Sequence, residues 1–418
     1  MVIREYSKVE LVFSSSESEA VKIALVNLRR DLIRTLDCSV TAGGIIRILV
    51  GTVGNLPELD KKADISKLQA EDGTYRKEAF LIQEKDGELL IAGTDRRGTI
   101  YGIYDFCEWL GVSPWYFFAD VPVRRRSEVV IESGYCKVDY PSVEYRGIFI
   151  NDEEELEHWV WRYMGETTIG VKTYEKIFEL LLRLKLNYIW PAMHVNSFNL
   201  KQENGALANR MGIVVGTSHC DMLMRSNNRE WKPWLAKKGY TDVEYDFSIP
   251  GRNREILKEY WRESVEQNRD FEVSYTVGMR GIHDSGFETK SLEGLTGEKL
   301  LKAKIELLES VMAAQQEILS ETLDTEPMKT FVPYKEVLEL YDNGLKVPED
   351  LTLIWTNDNY GYVRRYPGEK EKARKSGNGI YYHNSYWAPP GASYLFICSI
   401  PMSHTRNELL KAYKEGIQ

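Results

Sequence analysis

From Tyr145 onward the chain repeats one unit: a short apolar or β-branched run, a polar loop, then a helical stretch. The strand-like runs are "YRGIFI", "NYIWPAM", "GIVVGTS", "EVSYTVGM", "KTFVPY", "LTLIWT" and "GIYYH". Stretches with apolar residues at helical spacing separate most of them, notably "YEKIFELLLRLK", "REILKEYWRESVEQN" and "KLLKAKIELLESVMAAQQEIL". Such alternation implies parallel βα units, because a parallel neighbour is reached only by a crossover, and a crossover helix covers the sheet. Seven such runs in succession favour a (β/α)8, TIM-type barrel over an open sheet. The chain finishes at "LLKAYKEGIQ" after the seventh run, so the expected barrel lacks its eighth strand.

Ahead of this series, residues 1–140 read as a separate small α/β domain. "VELVF" precedes the helical "EAVKIALVNLRRDLIRTL", "GIIRILVG" reads as a buried strand, and "AFLIQEKDGELLIAG" as a hairpin turning at Asp86-Gly87. "DRRGTIYGIYDFCEWLG" has helical periodicity and stops at Gly111, a C-cap residue. Neither a GxGxxG nor a Walker pattern is present, so no nucleotide is assigned to this domain. Residues 141–418 are then the barrel domain.

The 418 residues, 43% of them hydrophobic, are enough to bury a large core and to divide into more than one domain. A net charge of -9, from 54 Lys and Arg against 63 Asp and Glu, speaks against nucleic acid as a partner, since phosphate binding needs a basic face. The triplet Arg124, Arg125, Arg126 is too short to change this and reads as solvated. The five cysteines (Cys38, Cys107, Cys136, Cys220, Cys398) are scattered and form no CxxC pair, which fits a reducing compartment better than a disulfide framework. "MVIREYSKVELVF" has no signal-like apolar core, and no apolar run reaches the roughly 18 residues of a membrane span. The expectation is a cytoplasmic protein with no membrane partner, unless a leader has been removed. Aromatics are plentiful, 25 Tyr and 10 Trp, and flat rings serve cores and sugar sites alike.

Function is read from the polar residues that close each strand run. "YRGIFINDEEELEHWVW" passes from a strand that looks buried on both faces into Asn151, Asp152, a block of acids and the pair Trp159 and Trp161. The third strand run leads to His219 and Asp221, the fourth to Arg280, His283 and Asp284, and the fifth to Tyr334 and Glu336. The sixth leads to Asn357, Asp358 and Asn359, the seventh to His383, Asn384 and Tyr386. Any one of these would be an ordinary loop start. In a barrel the whole series converges on the C-terminal mouth, where active sites of that fold lie.

Three of these residues, Asp152, Asp284 and Glu336, supply the carboxylates that glycoside hydrolysis needs on either side of a scissile bond. The guanidinium of Arg280 matches the carboxylate of a uronic acid, or else pairs with Asp284. Tyr334, Tyr386 and Asn359 are hydrogen-bonding partners for sugar hydroxyls. The rival use of this inventory is a metallohydrolase site built from His219, His283 and His383 with Asp152, Asp221 and Asp284. No HxH or HExxH spacing supports it, so the site is expected to hold no metal. GxSxG is absent, which disfavours a serine nucleophile.

At these residues the sequence resembles glycoside hydrolase family 115, the xylan α-glucuronidases. The motifs are "YRGIFINDE", "WPAM", "GIVVGTSH", "TVGMRG", "PYKEV", "WTNDNYGYVRR" and "GIYYHNSY" in order, and "AGTDRRGTIYGIYDF" resembles the accessory domain of α-glucuronidases and hexosaminidases. The resemblance implies release of α-1,2-linked glucuronic acid, or its 4-O-methyl ether, from glucuronoxylan or aldouronic xylo-oligosaccharides. It further implies inversion at the anomeric carbon and no organic cofactor. The implied catalytic positions are Asp152, Asp284 and Glu336. The implied substrate contacts are Asn151, Arg280, Tyr334, Asn359, Tyr386 and Trp115, with His219 added from the polar series. Two departures stand out: Cys220-Asp221-Met222 replaces a His-Glu-Pro tendency, and Gly281-Ile282-His283-Asp284 replaces Gly-Asp-Gly-Asp. The alternative, from a different class, is a non-catalytic carbohydrate-binding fragment of the same fold.

Overall fold

The structure is a computed structural model and describes residues 1–151, 154–283, 285–384 and 400–418, with Glu154 described by its backbone alone. Three of the expected site residues, Asp152, Asp284 and Tyr386, therefore lie outside the described residues. Two compact units emerge: Met1–Gly147 with Val171–Tyr188 and Leu207–Ile213, and Ile148–Gly170 with Ile189–Ala206 and Val214–Gln418.

The first unit is built on a six-stranded sheet. Its order is Ser39–Val40, Lys8–Val12, Ile46–Thr52, Glu88–Gly93, Phe80–Lys85 and Cys136–Asp139. The first four strands run parallel and the last two pairings are antiparallel. The expected hairpin turns at Asp86 and Gly87, both at positive φ (54° and 80°), the backbone that a two-residue turn requires. Helix Glu19–Leu36 starts where the Ser18 hydroxyl accepts from the Val21 N–H. Helix Arg96–Leu110 is capped by Asp95 and ends at Gly111 with φ 103°, as its sequence led one to expect.

Burial in this unit extends to charge. Arg183 Nη2 lies 2.7 Å from Asp31 and its Nε 2.9 Å from Glu179, all on side chains that are almost fully buried. Arg30 adds a 2.6 Å contact to Glu179, and the Tyr116 hydroxyl donates to the same carboxylate at 2.9 Å. Burial alone would raise the proton affinity of Glu179, but Arg183 and Arg30 outweigh it and hold the carboxyl at about 2.

The second unit carries the seven strand runs. We number them β1 (Gly147–Phe149), β2 (Tyr188–Trp190), β3 (Val214–Val215), β4 (Ser274–Thr276), β5 (Met328–Phe331), β6 (Thr352–Thr356) and β7 (Asn378–Tyr381). Neighbours in space are neighbours in sequence: β1, β2 and β3 form one sheet, β4 to β7 another. The parallel bridge Val215↔Val273 joins them. Pairings from β4 to β7 are all parallel, with Ser274 opposite Met328, Thr330 opposite Thr352, and Leu353 opposite Asn378. The result is an α/β fold with the C-terminal ends of β4 to β7 along one edge.

Aromatic side chains tie the first strands to the last. The rings of Phe149 (β1) and Trp190 (β2) lie 5.5 Å apart, and each meets Tyr381 of β7, at 5.4 Å and 5.2 Å. One expectation is corrected here. The β1 strand is not buried on both faces, since Ile148 is 41% exposed. Strand side chains alternate between faces, and Phe149 is the residue that turns toward the aromatic cluster. The acids after β1 open a short helix, Glu154–Trp159. No helix among the described residues is long and apolar enough to cross a membrane.

Candidate active site

The strand ends place the site, and β4 contributes its main cation. After Thr276 the backbone passes through Gly278 at φ 131°, a region L side chains rarely adopt. Gln315, buried on helix Gly297–Thr322, accepts from the Gly278 N–H at 2.8 Å and donates to its carbonyl at 2.9 Å. Two residues later stands Arg280, only 3% exposed. A buried guanidinium needs a partner, and Glu336 is one. Arg280 Nε donates to Oε1 at 3.0 Å and Nη2 to Oε2 at 2.9 Å, a two-pronged pairing.

Glu336 comes after β5, but it does not end a buried strand as its sequence context implied. Lys335, at φ 51°, turns the chain, and Glu336 is the first residue of helix Glu336–Asp342. Its side chain is 25% exposed, so one side of the carboxylate is open to solvent while the other is held by Arg280. Tyr334 precedes it, with its ring 4.5 Å from His219, 6.0 Å from the Arg280 guanidinium carbon and 5.2 Å from Lys335 Nζ.

The end of β7 completes the arrangement. His383 packs 3.9 Å from Tyr381 and 5.9 Å from Tyr334, nearly parallel to the latter. Its backbone and ring both meet Asn357, the residue after β6. Asn357 Nδ2 donates to the His383 carbonyl at 3.0 Å, which orients the amide. Asn357 Oδ1 then accepts from the His383 N–H at 2.7 Å and lies 3.0 Å from Nδ1. An amide oxygen only accepts, so Nδ1 carries a proton.

Arg280, Tyr334, Glu336 and His219 are therefore brought together. Asn151 is exposed after β1, and Asn359 is exposed in the turn that Asp358 closes by accepting from the Tyr360 and Tyr362 N–H groups. Trp115 belongs to the first unit, on the short helix Pro114–Tyr116, where it is 45% exposed. The expected alternative partner for Arg280, Asp284, lies outside the described residues, and among the described ones Arg280 pairs with Glu336. Asn357 and His383 stood in the polar series, but neither was given a part in the glycosidase site. Their signal was present, since both stand just past strand runs as the chosen residues do.

Of the residues in the rival metal reading, Asp152 and Asp284 lie outside the described residues. His219 and His383 sit in the aromatic cluster around Tyr334, whereas His283 pairs with His194. Among the described residues no group of three or more His, Cys, Asp or Glu side chains is arranged to hold a metal. A cavity of about 10 Å³, roughly one water in size, lies against His219, Thr276, Gly278, Arg280 and Phe331.

Comparison with known proteins bears on this geometry. The sequence profile of Glycosyl hydrolase family 115 matches residues 138–418. Among solved structures, a family GH115 4-O-methyl-α-glucuronidase with specificity for decorated arabinogalactans is 35% identical, with a TM-score of 0.88. The match covers 100% of this chain and 54% of that one, so the chain spans about half the length of the enzyme it resembles. A GH138 enzyme targeting pectin rhamnogalacturonan II matches at 13% identity and a TM-score of 0.47, over 86% of this chain and 50% of that one. A β-N-acetylhexosaminidase from Bacteroides fragilis also has 13% identity and a TM-score of 0.47, over 85% and 67%. A search among curated proteins returned no match.

Proposed function

This chain belongs to glycosyl hydrolase family 115, and from that premise we propose that it hydrolyses glycosidic bonds to glucuronic acid or its 4-O-methyl ether. The single observation that carries the reading is the pairing of Arg280 with Glu336 at the strand-end face, next to Tyr334 and His219. A guanidinium of this kind matches a uronate, and a carboxylate beside it is placed for proton transfer or for orienting water. In the proposed reaction Asp152, Asp284 and Glu336 provide the acid and base functions. One protonates the leaving oxygen, another activates water on the opposite face, and the anomeric configuration inverts. The two carboxyl groups then stand roughly 6.5–9.5 Å apart to admit that water. Arg280 reads the uronate, with Asn151, Tyr334, Asn359, Tyr386 and His219 on the sugar hydroxyls.

The same proposal includes a barrel for the seven-stranded sheet, supported by the contact of β1 and β7 through Phe149 and Tyr381. It assigns residues 1–140 to an accessory domain and 141–418 to the catalytic one. The proposed substrate is glucuronoxylan or its aldouronic xylo-oligosaccharides, through an α-1,2 linkage. A second reading of the aglycone, decorated arabinogalactan, is favoured by the 35% identity to an enzyme with that specificity. Both readings share the uronate. The test is release of glucuronic acid from aldouronic xylo-oligosaccharides and, in parallel, from arabinogalactan oligosaccharides bearing the same sugar. Release from the first supports the xylan reading, and release from the second alone replaces xylan by arabinogalactan. Release from neither, by a folded protein that still binds a glucuronide, makes this the non-catalytic binding form.

A further inference from the structure

His194, four residues beyond β2, and His283, three beyond Arg280, meet Nε2 to Nε2 at 2.8 Å. Their ring centroids are 3.9 Å apart at 69°. Neither residue has a part in the glycosidase reading, and the two come from separate strand ends. One short segment holds both backbones. The buried Asn227 accepts from the His283 N–H through Oδ1 at 2.8 Å. Its neighbours Asn228 (Nδ2) and Arg229 (Nε) both donate to the His194 carbonyl at 3.0 Å.

That segment is itself braced from below. Asn227 Nδ2 donates to the carbonyls of Cys220 and Gly281 at 3.0 Å and 3.1 Å, and the Ser226 hydroxyl donates to the Met193 carbonyl at 2.9 Å. The buried pair Arg225–Glu230, at 2.8 Å, closes it. Two imidazoles converging on one point are thus placed by a buried hydrogen-bonded frame, with their edges toward solvent.

We propose that His194 and His283 form a binding site for a borderline transition-metal dication, with Nε2 of each as ligand and water completing the shell. Imidazole–metal bonds of about 2.0–2.1 Å put two nitrogens about 2.9 Å apart when they are at right angles, and about 3.3 Å apart in a tetrahedron. The observed 2.8 Å is a hydrogen-bond length between the two rings, and an opening of a few tenths of an ångström reaches either spacing. A neutral imidazole offers one lone pair to a metal. The proton that bridges the two Nε2 atoms in the empty pair moves to the Nδ1 of its own ring on binding, so coordination at neutral pH requires no net proton loss.

The test reads binding rather than hydrolysis. Nickel(II) chloride and copper(II) chloride are titrated into the chelator-free protein by calorimetry. The result expected is about one saturable ion per chain, weakened roughly tenfold or more by His194→Ala and by His283→Asn. Asn at 283 is chosen because it tolerates the φ of 63° found there. His404→Ala serves as control and leaves the affinity unchanged. The electron paramagnetic resonance spectrum of the copper(II) form should show coupling to two imidazole nitrogens and lose one of them in each variant. Circular dichroism confirms folding of the variants, and the two substitutions lie on different loops, so either one suffices. The proposal is overturned if the wild-type protein takes up neither ion saturably. It is also overturned if a folded variant binds as the wild type does, or if the copper spectrum is the same with and without both histidines.

Discussion

Arg280→Lys separates the two duties assigned to this guanidinium. In the structure Arg280 is 3% exposed and directs Nε and Nη2 to Glu336, at 3.0 Å and 2.9 Å. Lysine keeps the charge but replaces the planar fork with one ammonium, so the second of two parallel hydrogen bonds is lost. A hydrogen bond to a charged group contributes about 1.5–3 kcal/mol, which corresponds to a loss of roughly 10- to 150-fold in whatever the fork supports. If the fork serves only to hold Glu336, a uronic acid and its neutral counterpart suffer alike. If the guanidinium also reads the uronate, binding of an α-glucuronide falls roughly tenfold further than binding of the matching α-glucoside. Calorimetric Kd values for both ligands, on both proteins, make the comparison. Equal losses on the two ligands would remove Arg280 from uronate recognition and leave it a positioning residue for Glu336.

The remaining expectations are independent of that one. Glu336→Gln lowers turnover roughly 10²- to 10⁴-fold with melting little changed, because an amide cannot exchange the proton; near-normal steady-state rates would take Glu336 out of the mechanism. Gly278→Ala costs about 1–3 kcal/mol through its backbone at φ 131° rather than through a clash, since the nearest atom to an added Cβ is a Phe331 ring carbon at 3.5 Å. Thermal unfolding reads that cost, and an unchanged Tm refutes it. Acid stability depends on Glu179, whose carboxyl is depressed from 4.5 to about 2. The sign is that of a depressed acid: the contribution is fully present above pH 4.5 and lost as pH falls through 2, amounting to roughly 3 kcal/mol. Glu179→Gln therefore flattens the acid limb of the denaturation curve in that window, and an acid limb identical to wild type would contradict it.

Much of the second unit was legible because its signals are local. Each strand run is short, apolar and bounded by polar residues, and all seven recur as β1 to β7 in chain order. The hairpin at Asp86-Gly87 and the stop at Gly111 were legible for the same reason, since positive φ leaves a residue-type signature. Pairing across sequence was not legible. Arg280 and Glu336 stand 56 positions apart, and their fork forms because register between β4 and β5 decides which loops face each other. The Asn357–His383 pair arises likewise from the β6–β7 register, in which Thr356 lies opposite Tyr381. The Asp31–Arg183–Glu179 network escaped notice because Asp31 lies 152 positions from Arg183 and all three look like ordinary helical charges.

The central claim is hydrolysis of a glucuronide with inversion, and the anomer first released tests it most directly. Proton NMR during early turnover of an α-1,2-linked aldouronic oligosaccharide should show β-glucuronic acid appearing before mutarotation supplies the α form. Initial release of the α anomer would contradict the inverting mechanism, and no release of glucuronic acid from any α-glucuronide would contradict the catalytic account as a whole.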